Sequence, residues 1–219
     1  MIEPLLLTTV RVSTFDGKRP LTGASGFFFE RDGRLFLVTG RHVVIDPPSK
    51  HFPNRIEIEL HTDAKNLTRS TVMSVLLYLD AKSVWHQGND AGGEIDVAVI
   101  ELDRGALPQS VVLRCFTPAH LQRSLQEVGV GTSLLIVGFP LGFHDALHHL
   151  PVVRQAVIAS SFGLRFQGSG YFLTDAQLPW KLLGVHSARM DMAGRDLQLD
   201  ETLGLNCAWY ADIVLTLTT

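Results

Sequence analysis

The sequence predicts an all-β protein, and three observations predict it. Helical periodicity is scarce along the 219 residues. Short apolar or alternating runs dominate instead, each closed by Gly, Pro, Asp or Asn. Apolar residues make up 46% of the chain, enough for a globular protein with a sizeable core. Many short strands at this spacing point to a sandwich or to barrels.

Strand candidates follow one another from the first residues. LLLTTVRV (5–12) opens the chain, and GFFFE (26–30) and LFLVT (35–39) are joined by an Asp-Gly hairpin turn. RIEIEL (55–60) alternates polar and apolar residues, the mark of a half-buried strand. TVMSVLLYL (71–79) and IDVAVIEL (95–102) complete a first group. DRGALPQS (103–110) is the best candidate linker, dividing the chain into halves 1–106 and 107–219. The second group is VVLRC (111–115), LLIVGF (134–139), VVRQAVIAS (152–160), YFLT (171–174), KLLGV (181–185) and LNCAWY (205–210). LQRSLQEV (121–128) is expected to form a short helical turn at most. For ADIVLTLT (211–218), β-branched residues favour a strand, whereas Asp212 suits the cap of a terminal helix.

Composition narrows the function. Net charge is −3 with no long basic run, so nucleic-acid binding has no electrostatic footprint. MIEPLLLTTV carries an acid and a proline and reads as a strand rather than a signal peptide. No apolar run reaches membrane-spanning length. Cys115 and Cys207 are expected to be reduced, buried thiols. A cytoplasmic, soluble protein is the default expectation.

Chemistry concentrates in three stretches. GASGFFFERDGRLFLVTGRHVV (23–44) places His42 at the exit of a buried strand, a rigid mount for a general base. Taken alone, a histidine there is more often structural than catalytic. GGEIDVAVIELD (92–103) sets Asp96 into an otherwise apolar strand, where an acid needs hydrogen bonds or a cation. A histidine N–H is a natural partner, while Glu94 and Asp103 fit solvent better. VGVGTSLLIVGFPLGF (128–143) ends a strand in a sharp Gly-Phe-Pro-Leu-Gly turn.

Together these stretches resemble the trypsin-like serine peptidases of two-barrel fold, in the bacterial branch that includes the heat-shock proteases. SGFFFE and LFLVTGRHVV resemble the strand pair that ends in the catalytic histidine, and IDVAVIEL the aspartate segment. VGFPLG, QAVIAS and FLTDA resemble the run toward the nucleophile, and LLGVHSAR the strand that edges the substrate cleft. The resemblance spans roughly residues 20–210 in the family's order. It implies two packed, antiparallel, six-stranded β-barrels, one over 1–106 and one over 107–219. It also implies a peptide or protein substrate and no cofactor or metal. By this resemblance His42 is the general base, Asp96 its orienting acid, and Val185, His186 and Ser187 line the substrate cleft.

One departure is clear. The family carries Gly-x-Ser-Gly-x-Pro a few residues after TDA, whereas here TDAQL runs directly into PWKLLGV. The nucleophile segment is absent between Leu178 and Trp180. Either the gene encodes a segment that this sequence omits, or the segment was deleted to leave a peptide-binding module, or another serine substitutes. Ser169 lacks the glycine two residues upstream, since Gln167 stands there, and Ser187 follows the cleft strand, out of order. The intact flanks favour an encoded segment, because a deletion would join two strands without a good turn. HDALHH (144–149) spaces His144 and His148 for zinc, but no Cys or acid cluster of known spacing completes a site, and a solvated loop is expected. His51, His61, His86 and His120 have no evident partner.

Overall fold

The computed structural model describes residues 3–91, 93–122, 124, 127–174, 182–189 and 206–219. It is all-β apart from two short helices and several 3-10 turns. The N-terminal half holds β1 (Thr9–Asp16), β2 (Arg19–Arg31), β3 (Arg34–Thr39), α1 (Arg41–Val44), β4 (Arg55–His61) and β5 (Ser70–Leu76). There follow the short pair β6 (Tyr78–Leu79) and β7 (Lys82–Ser83), then β8 (Trp85–Asp90) and β9 (Gly93–Leu102). Seven of these strands form one sheet in the order β5-β4-β1-β2-β3-β9-β8. They are the strands expected for this half plus β8. The C-terminal half holds β10 (Ser133–Gly138), β11 (Val152–Val157), β12 (Tyr171–Thr174), β13 (Gly184–Arg189), β14 (Asn206–Tyr210) and α2 (Ile213–Leu217). Here β10 pairs with β11, and β14 lies between β12 and β13, all antiparallel.

The central strands read as continuous apolar runs because both of their faces are covered. Leu35 and Leu37 of β3 join Val12, Phe28, Ile56, Ile58 and Ile100 in a core inside the N-terminal half. The alternate residues Phe36 and Val38 face the other way, onto Phe29, Val97 and Val99. That second cluster also takes Leu121 and Val185, together with Val214 and Leu217 of α2, so it forms the seam between the halves. A third cluster, including Leu134, Ile158, Phe172 and Tyr210, belongs to the C-terminal half.

Several segments depart from the expected strands. Pro4 starts a 3-10 turn over Pro4–Leu7, so the first strand begins only at Thr9. Residues 71–79 break into two strands where Leu77 turns inward, its N–H donating to the Asn54 carbonyl. Residues 111–115 make isolated bridges rather than a strand: Val112 N–H donates to His61 O, and Phe116 N–H to Phe28 O. This stretch sews the start of the second half onto the first sheet. Asp103 caps a short 3-10 turn over Arg104–Ala106, within the expected linker. The terminal segment is helical, although the Asp212 side chain makes no cap hydrogen bond. Arg31 and His86 instead donate to the carbonyls of Leu215 and Leu217, near the negative end of α2.

Candidate active site

His42 is positioned by the end of β3. Thr39 closes that strand by donating its hydroxyl to the Ser25 carbonyl. Gly40 then turns the chain into α1, which starts at Arg41. A Cβ on Gly40 would lie 2.6 Å from Cε1 of the His42 ring, so the imidazole occupies the space of the absent side chain. Two contacts anchor α1. Arg41 pairs with Glu94 of β9 at 2.8 Å, and Nε2 of His51 lies 3.1 Å from the Val43 carbonyl, to which it donates.

Asp96, near the start of β9, holds His42 at two points. Its Oδ1 accepts the His42 backbone N–H at 2.8 Å, and its Oδ2 meets Nδ1 of the ring at 2.7 Å. An ionised carboxylate only accepts, so Nδ1 carries the proton and Nε2 is left as the basic nitrogen. The Ser187 hydroxyl of β13 donates to the same Oδ2, which ties the aspartate to the C-terminal half. The hydrogen bond to Asp96, aided by its charge, holds His42 above the ordinary histidine range against partial desolvation. For Asp96, burial pushes the carboxyl up, but the His42 and Ser187 contacts outweigh it and hold the group below the usual carboxylate range.

A cleft of about 330 Å³ reaches Gly40, next to this pair, though neither His42 nor Asp96 lines it; its walls come from β2, β3, β10, β11, β12, β13 and β14. Ser25, Gly40, Phe139, Arg154, Thr174 and His186 are among its lining residues. The Phe139 N–H donates to Ser25 Oγ at 2.7 Å across the seam. Val185 lines the cleft and packs into the seam core, while His186 faces the cleft and bonds Asn206. The sequence-predicted residues His42, Asp96 and Ser187 are therefore brought into contact, with Val185 and His186 beside them. Sequence reasoning missed Gly40, Ser25 and Arg154. Gly40, two residues before the histidine, was the one available signal.

With this geometry in hand, the structure is similar to that of a serine endoprotease from Yersinia pestis, with a TM-score of 0.55 at 14% sequence identity. The fold is trypsin-like. The similarity covers 97% of this chain and 62% of the Yersinia chain, and at this identity it concerns the fold. No protein-family model and no curated protein sequence matches the chain.

Within this trypsin-like fold the remaining candidates separate cleanly. The region expected for the nucleophile segment lies in 175–181, outside the described residues. Ser169 follows a 3-10 turn ahead of β12, and its carbonyl accepts the Tyr171 N–H. The hydroxyl of Ser160 accepts the Leu173 N–H. His144 donates to Gly142 O, His148 meets Asp145 at 2.7 Å, and His149 meets Glu59 of β4 at 3.0 Å. His61 donates to the His148 carbonyl at 2.7 Å, so residues 144–150 form a loop pinned to β4. No group of three or more metal-ligating side chains occurs among the described residues. His120 caps its own turn by accepting the Thr117 N–H. Thus His51, His61, His86 and His120, without evident partners in sequence, each have one in space. Cys115 and Cys207 are free and only half-buried, and burial pushes the Cys115 thiol up to about 11.

Proposed function

We propose that this chain is a trypsin-like serine endopeptidase domain that hydrolyses peptide bonds through a Ser-His-Asp mechanism. The observation that supports it is the Asp96 carboxylate, which grips both the backbone and the ring of His42 while Ser187 donates to it. In this reading Nε2 of His42 takes the proton of an attacking serine hydroxyl and later returns it to the leaving amine. Asp96 fixes the ring tautomer and stabilises the imidazolium. The serine belongs to a Gly-x-Ser-Gly segment inserted after Leu178. Backbone N–H groups beside such a serine stabilise the oxyanion by about 3–4 kcal/mol per donor.

A second reading, a catalytically inactive module that binds peptide along β13 by strand addition, is favoured by one observation: the 219-residue sequence has no Gly-x-Ser-Gly after TDA. Sequencing the gene across the codons for 174–185 and labelling with a fluorophosphonate separate the two readings. Protein carrying the segment should label, and His42→Ala should nearly abolish labelling, because the triad acts as a unit. Ser169→Ala should label almost as the parent does, whereas Ser187→Ala, which removes a donor to Asp96, should slow labelling without abolishing it. Folded protein with the segment that never labels leaves the binding module. Labelling that is lost in Ser169→Ala but kept in His42→Ala refutes the assigned chemistry.

A further inference from the structure

The described residues that line the cleft carry an unbalanced charge. The chain as a whole is acidic, with a net charge of −3. Among the described residues that line the cleft, no aspartate or glutamate occurs, and the titratable side chains are Arg154 of β11 and His186 of β13. Those strands belong to two different sheets that face each other across the opening. Arg154 makes no ion pair with any described carboxylate. Asn206 hydrogen-bonds His186 from the neighbouring strand and steadies its ring. A third polar group lies deeper: Thr174, 2% exposed, keeps a buried Oγ1 without a hydrogen-bond partner among the described residues, and it lines the same cleft. A buried hydroxyl left unpaired costs free energy that an incoming acceptor would recover.

We propose that the cleft selects a peptide carboxylate, with Arg154 and His186 as its specificity-determining residues and Thr174 as a further donor. The proposal rests on the reading of this cleft as a peptide site and names the chemistry that the site prefers. Arg154 offers a planar fork of N–H donors matched to a carboxylate, and a protonated His186 adds a second charge-assisted bond. The Arg154 charge acts on the His186 ring. His186 sits below the ordinary histidine range through desolvation first and the Arg154 charge second, although the Asn206 bond raises it. A carboxylate placed between them relieves that repulsion. The shared chemistry has two sources, an internal Asp or Glu side chain and a free C-terminus.

The test needs no nucleophile, so it uses the 219-residue chain. Binding is measured by fluorescence anisotropy for dye-labelled peptides that differ at one position, Glu, Gln or Lys, all with amidated C-termini. The Gln peptide with a free C-terminus forms a separate arm. The Glu peptide should bind on the order of tenfold tighter than the Gln peptide, the scale of one charge-assisted hydrogen bond. Arg154→Gln and His186→Gln should each shrink that preference, and the His186 ring should titrate higher by NMR when the Glu peptide is bound. Tight binding of the free-terminus Gln peptide alone would assign the carboxylate to chain ends. Equal binding of the amidated Glu, amidated Gln and free-terminus Gln peptides, or a preference unchanged in both variants, overturns the carboxylate assignment and leaves the peptide cleft standing. Binding of no peptide removes both.

Discussion

At the scale of single residues, the His42–Asp96 pair makes a pH-dependent unit. The folded-state pKa of His42 is raised, so its contribution to stability is fully present below the unfolded value of about 6.5 and is lost as pH rises through the folded value. The pKa of Asp96 is lowered, so its contribution is present above about 3.9 and is lost as pH falls through its folded value. The pair is therefore at full strength from roughly pH 4 to 6.5. An NMR titration of the His42 ring should give a pKa above that of free histidine, and Asp96→Asn should bring it down. Gly40→Ala should do the same by another route. Gly40 has an ordinary extended conformation, with φ −65° and ψ 141°, so alanine fits the backbone. The added methyl, however, meets Cε1 of the ring at 2.6 Å and must displace it. A folded Gly40→Ala protein whose His42 titrates as in the parent would refute this steric role. Residues also mark where sequence reading stops. A strand-end histidine and an acid inside an apolar strand drew attention to His42 and Asp96, but their roles were legible only through the family resemblance. Ser187 was legible only as a cleft residue, because its bond to Asp96 joins positions far apart in the chain.

At the scale of elements, turn chemistry was the most legible feature and pairing partners the least. Asp32-Gly33, both with positive φ, closes the β2–β3 hairpin as the dipeptide predicts. Asp80-Ala81 closes the β6–β7 pair with the same left-handed backbone but without glycine. Ala81→Gly should therefore raise stability by roughly 0.5–1 kcal/mol in urea unfolding, since a left-handed alanine is strained. An unchanged or lower midpoint would mean that the turn is not strained. The strand β8, WHQGND, escaped detection because its polar sequence has no apolar alternation. Pairing with β9 holds it in the sheet, and only Trp85 among its residues is buried. The central run LFLV was legible as a strand, but the reason for its unbroken apolarity, two cores on opposite faces, appears only in space. Leu37→Ala should cost about 2–5 kcal/mol, as for a fully buried leucine, whereas Val72→Ala on the exposed edge should stay within about 0.5 kcal/mol. Comparable losses at the two sites would contradict the placement of the core.

At the scale of the whole molecule, the cleft exists because two β halves are held at a fixed separation. The apolar seam supplies most of the attraction, through Phe29, Phe36, Val38 and Val97 on one side and Val185, Val214 and Leu217 on the other. Apolar contact is not directional, so register across the seam needs hydrogen bonds. Residues 112–116 provide some of these by donating into β2 and β4, and Ser187 provides another through Asp96. The bond that bears most directly on the cleft wall runs from the Phe139 N–H to Ser25 Oγ, because it joins the end of β10 to the middle of β2. Phe139 is buried, so Ser25→Ala leaves a backbone donor unpaired, at a cost of about 1–3 kcal/mol. The effect should be local as well as global. Amide exchange at Phe139 should accelerate in Ser25→Ala while the amides of β3 and β9 keep their protection, because their ladders are untouched. Ser25→Thr keeps the hydroxyl acceptor on a β-strand and should restore slow exchange. Exchange at Phe139 that is the same in Ser25→Ala as in the parent would mean that the seam alone sets the spacing of the two halves.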